Sequence, residues 1–149
     1  MKDAEIYASV RFDLMRYATA LVGVVDAGDL VSAVVARVLA RDGGLAGLDD
    51  PKPYLMKSVL NEARMRHRSS VRQSRALLKV GAPDQQPSQH DHVLDQIMLL
   101  PHRQRAAVFL AYYEQYTPAE IADLMGCRPA TVRRYLHLAR GKLKEAFDE

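Results

Sequence analysis

The segment from Thr117 to Leu143 constrains the fold more tightly than any other part of the chain. Thr117-Pro118-Ala119-Glu120 has the form of a capping box with proline at the first helical position. The threonine can satisfy an orphan backbone N–H while Glu120 reaches back to the cap. Ile121, Ala122, Leu124 and Met125 form one apolar face, Gly126 stops the helix, and Pro129 opens the next. There Val132, Leu136, Ala139 and Leu143 recur at spacings of four, three and four. A short capped helix, a glycine turn and a longer amphipathic helix make a helix-turn-helix, with small Ala122 letting the two helices cross closely. At ~100° per residue, inward apolar positions send Arg133, Arg134 and His137 outward, where a major groove would meet them. Each arginine can read guanine in bidentate fashion or clamp a phosphate, and the sequence does not say which. Arg140, Lys142 and Lys144 lie further along and suit the nucleic-acid backbone. The bland alternative is a helical hairpin with a basic surface.

Helical periodicity also dominates the rest of the chain. Ile6, Val10, Leu14, Tyr17, Ala18 and Leu21 share a face and are followed by a break at Gly23. A second helix is expected to start with Asp26 as N-cap and Asp29 in its first turn, and to stop near Asp42-Gly43-Gly44. Its valines (Val31, Val34, Val35, Val38) would also suit a strand, but length and capping favour helix. Residues 45–52 read as a loop. A third helix follows from about Tyr54 and ends in the basic run Arg64 to Arg68. The stretch from Gly81 to His90 is polar and proline-bearing, which makes it a linker. The expected architecture is all-α: two small helical domains, residues 1–70 and 93–149, joined by a flexible linker over 71–92.

Net charge is only +3, so its distribution matters more than its sum. From Lys57 to Lys79 the bases stand against Glu62 alone, and from Ala130 to Lys144 there is no acid at all. Two basic segments suggest two places to hold a polyanion, with solvated helix faces as the alternative. No apolar run approaches the ~20 residues needed to cross a bilayer, and Met1 to Glu5 lack the pattern of a secretory signal. The single cysteine, Cys127, builds no internal disulfide, so a cytoplasmic protein is expected. His90, His92, His102 and Cys127 have no regular ligand spacing, so neither metal nor cofactor is expected. No nucleophile elbow or phosphate-binding glycine loop occurs, and no enzyme is expected.

Leu100-Pro101, Gln104-Arg105, Tyr116 to Ala122, Gly126, and Thr131 to Leu143 together resemble the C-terminal promoter-binding domain of RNA polymerase sigma factors. In the N-terminal half, Asp26 to Val31 is similar to that family's polymerase-binding helix. Pro53-Tyr54-Leu55 with Asn61 resembles the start of its −10-reading helix. The absence of a middle domain points to the extracytoplasmic-function (ECF) group. The chain departs from the family's pattern at Ser32, Tyr54, Arg134, Tyr135 and Leu138, which leaves promoter identity unreadable.

The resemblance implies a division of labour. Asp26, Asp29, Leu30 and Val31 would bind polymerase. Lys57, Asn61 and Arg64 would hold the −10 strand, with the 45–52 loop near a flipped base. Arg128, Thr131, Arg133, Arg134, His137 and Arg140 would read the −35 element. The implied partners are core RNA polymerase (the β′ clamp and the β subunit) and promoter DNA, with an anti-sigma factor as a further candidate and no membrane insertion. A stand-alone helix-turn-helix regulator and a polymerase-binding adaptor that does not melt promoters are the competing readings.

Overall fold

A computed structural model of the chain describes residues 2–77 and 92–147, and every regular element among them is an α-helix. The order is α1 (Asp3–Val22), α2 (Val24–Leu39), α3 (Pro51–Leu77), α4 (His92–Met98), α5 (His102–Tyr112), α6 (Pro118–Met125) and α7 (Pro129–Phe147). The apolar stripe of α1 is buried as its spacing requires, from Ile6 to Leu21. Gly23 ends the helix at φ 91°, donating its N–H to the Thr19 carbonyl at 2.9 Å. That left-handed conformation, which glycine adopts without strain, lets a single residue reverse the chain into α2.

Helix α2 starts earlier than its acids suggest. Gly23 takes the N-cap position and Asp26 lies inside the first turn. The valines do not make a strand, because Val31, Val34, Val35 and Val38 all bury against α1 and α3. Packing outweighs the small helix penalty of β-branched residues. Between α2 and α3, Gly43 and Gly44 turn at positive φ, and the buried Leu45 pins the loop. The Ala46 N–H donates to Asp3 Oδ1 at 2.9 Å, which fastens this loop to the start of α1.

Helix α3 is longer than its sequence pattern indicates at both ends. It opens at Pro51 and runs past Arg68 to Leu77. Residues 71–77 of the segment read as linker are therefore helical, and 78–91 lie outside the described residues.

The two halves do not stand apart. Helix α1 packs on α4 and α5 as well as on α2 and α3, and α3 packs on α6. Tyr17 and Phe109, both fully buried, bring their rings to 5.3 Å across this junction. Arg105 Nη1 donates to the Leu21 carbonyl at 2.8 Å, while Arg105 Nη2 reaches the Leu100 carbonyl at 3.0 Å. Lys52 Nζ sits between Asp13 Oδ2 at 2.8 Å and Glu114 Oε2 at 2.6 Å, tying α1, α3 and the α5–α6 turn together. Burial works against the charged Lys52 ammonium, but the hydrogen bonds and charges of Asp13 and Glu114 outweigh it and hold it protonated.

Candidate nucleic-acid interface

The helix-turn-helix forms as its residues dictate. The Thr117 N–H donates to Glu120 Oε1 at 3.0 Å, and the Glu120 N–H donates to Thr117 Oγ1 at 3.2 Å, completing the capping box. Those contacts, the one from the Thr117 backbone foremost, hold the Glu120 carboxyl below its usual range. Gly126 ends α6 in the left-handed region (φ 68°, ψ 39°), and the Cys127 N–H returns to the Ala122 carbonyl at 3.0 Å. Across the turn, Val132, Leu136 and Ala139 of α7 are buried, and Leu143 packs partly against the core.

The opposite face of α7 is open. Arg133, Arg134 and His137 are exposed together, as is Arg128 in the turn, while Thr131 is half-buried. Arg140 is exposed but engaged, since its Nε donates to the Tyr112 hydroxyl at 2.5 Å. Tyr135 turns away from this face, half-buried, and its hydroxyl accepts from Arg103 Nη1 at 3.2 Å. Tyr113 instead stacks on Phe109 at 4.8 Å, with the Arg16 guanidinium 4.5 Å from its ring centroid.

In the N-terminal half, Lys57 and Asn61 are exposed on α3. Arg64 is half-buried, facing α5 across the cleft between the halves. On α2, Asp26 and Asp29 are exposed. Leu30 and Val31, assigned with them to polymerase binding, are at 0% and 1% exposure and pack in the core of the free chain. Three residues that the pattern did not single out shape this face. Asp29 Oδ2 accepts from Arg66 Nη1 at 2.8 Å, and Glu62 accepts from Arg37 Nη2 at 2.9 Å and from Arg66 Nε at 3.3 Å. The Arg37 hydrogen bond is the largest influence holding the Glu62 carboxyl below its ordinary range. The only sequence signal was Glu62 itself, the single acid within a basic run.

No group of three potential metal ligands gathers among the described residues, and no described helix is long and apolar enough to cross a membrane.

Residues 90–143 match the sigma-70 region 4 family, which spans α4 to most of α7. Over nearly the whole chain, the sequence is 30% identical to the RNA polymerase sigma-E factor of Streptomyces avermitilis, covering 97% of this chain and 84% of that protein. It is 32% identical to the RNA polymerase sigma factor CarQ of Myxococcus xanthus, over 83% of this chain and 75% of that one. The chain belongs to the RNA polymerase sigma factors. It falls in their ECF group, and as a sigma factor it directs polymerase to promoters and is not itself an enzyme. The fold agrees. The sigma factor RpoE from Bartonella quintana, solved in complex with the anti-sigma factor NepR, superposes with a TM-score of 0.75. That match covers 95% of this chain and 94% of RpoE at 22% identity.

Proposed function

We propose that this sigma factor divides promoter recognition between its two exposed basic faces and binds core polymerase through the acidic edge of α2. The observation that carries the reading is α7. Its buried face fixes its orientation in the helix-turn-helix, so Arg133, Arg134 and His137 project as one acid-free surface. That surface reads the −35 element, with Arg128, Thr131 and Arg140 along the backbone. Lys57, Asn61 and Arg64 hold the −10 strand. Asp26 and Asp29 serve as the polar contact to the β′ clamp, and residues 1–70 and 93–149 act as separate functional units. The protein works in the cytoplasm, where core polymerase and promoter DNA meet. An anti-sigma partner is proposed on the strength of the RpoE relative alone.

The closed packing adds a step to this cycle. Arg64 faces α5 across the cleft, so full engagement of the −10 strand requires α5 to move away from α3. Reconstituted transcription with core polymerase on a pool of promoter fragments tests the scheme. Transcripts that depend on this protein, and that weaken with Asp29→Ala and with Arg133→Ala, are the expected result. DNA binding without polymerase, and no transcript in its presence, would instead identify a stand-alone regulator.

A further inference from the structure

Between the two halves lies a cleft of about 370 Å³, open to solvent and bordered by Arg64, His67 and Arg68 of α3, His102 and Arg103 of α5, and Tyr135 of α7. Among the described residues no carboxylate lines it, and none forms an ion pair with Arg64, Arg68 or Arg103. The imidazoles of His67 and His102 stack at 5.4 Å, which joins the two walls. His102 Nε2 is buried with no hydrogen-bond partner. The first turn of α5, which has no side-chain cap, lines the same cleft, and its dipole favours negative charge.

Closing the halves therefore brings like charges together. The environment of His102 records the cost: burial first, then Arg105, His67, Arg64 and Arg103, push its imidazole down to about 4. An anion in the cleft removes this repulsion and gives the donors acceptors. The cations stand on two walls of one cleft, whereas the phosphates of a duplex backbone follow one another along a line. The volume lies within the range of small-molecule pockets.

We propose that this cleft binds a small phosphate-chain anion that bridges α3 and α5 and holds the sigma factor closed. Arg103 and Arg68 supply forked donors to phosphate oxygens from opposite walls. The chain belongs either to an inorganic polyphosphate or to a nucleoside polyphosphate, whose base would stack beside Tyr135.

Calorimetric titration of the full chain with sodium tripolyphosphate, at ionic strength matched with sodium chloride, tests the site. The expected result is one-to-one binding, weakened about tenfold by Arg103→Gln and by His67→Gln and unchanged by Arg133→Gln on the recognition helix. Both cleft side chains are exposed, and circular dichroism checks that the variants keep their helices. In the wild-type chain, the His67 and His102 imidazole resonances should shift together at stoichiometric ligand. A parallel titration with magnesium-free adenosine triphosphate separates the sources: tighter binding than tripolyphosphate assigns a nucleotide, and equal binding assigns the inorganic chain. No binding beyond that of sulfate, several weak sites, or an equal loss with Arg133→Gln would overturn the proposal, as would unmoved imidazole resonances.

Discussion

Thr117 and Glu120 hold the first turn of α6 by exchanging two hydrogen bonds, and both are exposed, so their effect comes from capping alone. Thr117→Ala should therefore cost about 1 kcal/mol of stability, read as a lower urea midpoint with an unchanged slope. The Glu120 carboxyl lies below its ordinary 4.5, so its contribution is present above that value and disappears as pH falls through the lowered one. Arg133 is also exposed, and among the described residues no hydrogen bond or ion pair holds it in place, so its removal should leave stability unchanged. Binding of polymerase-bound sigma factor to its promoter should instead weaken by about 1–3 kcal/mol. Measuring that loss across salt concentrations distinguishes its two modes: a shallower salt slope marks a phosphate clamp, and a sequence-dependent loss marks a base contact.

At the scale of elements, legibility followed periodicity. Helices α1, α6 and α7 could be read because their apolar residues recur on one face and their ends carry glycine, proline or a capping box. The end of α3 was not legible, since beyond Arg68 its composition is polar and basic and no apolar stripe marks the helix. The acids near the start of α2 drew the N-cap to Asp26, although a glycine at positive φ was the structural cap. Leu30 and Val31 had a family role to suggest, whereas their burial depends on neighbours remote in sequence. Lys52 was harder still, because its partners Asp13 and Glu114 lie on other elements. Breaking that junction gives an asymmetric expectation. Lys52→Met leaves the Glu114 carboxylate, whose side chain is 5% exposed, without its cation and should cost about 1–3 kcal/mol. Glu114→Gln leaves no buried charge and should cost less in the same thermal unfolding series.

At the scale of the molecule, the closed arrangement is a balance between apolar burial and charge. Tyr17 against Phe109, Arg105 on the Leu21 carbonyl and the Lys52 junction favour closure, while the cations around His102 oppose it. Acid should tip that balance toward opening. The His102 imidazole is pushed down to about 4 in the closed form from an ordinary 6.5. Above 6.5 it is neutral in both forms, and pH has no effect through this group. Between 6.5 and 4 the open form takes up a proton that the closed form resists, so closure weakens steadily as pH falls. The surrounding arginines do not titrate in this window. Glu62, whose carboxyl is already lowered, loses its contribution only below its ordinary 4.5. A change above pH 5 therefore belongs to the His102 imidazole. At neutral pH the free protein should scatter as a compact particle with a radius of gyration of about 15 Å, the value expected for a folded chain of 149 residues. Taking the sample to pH 5 should enlarge that radius, and His102→Gln, which cannot take up the proton, should remain compact over the same range. A wild-type radius that stays constant from pH 7.5 to 5 would show that the packing of Tyr17, Phe109 and their neighbours outweighs the buried imidazole.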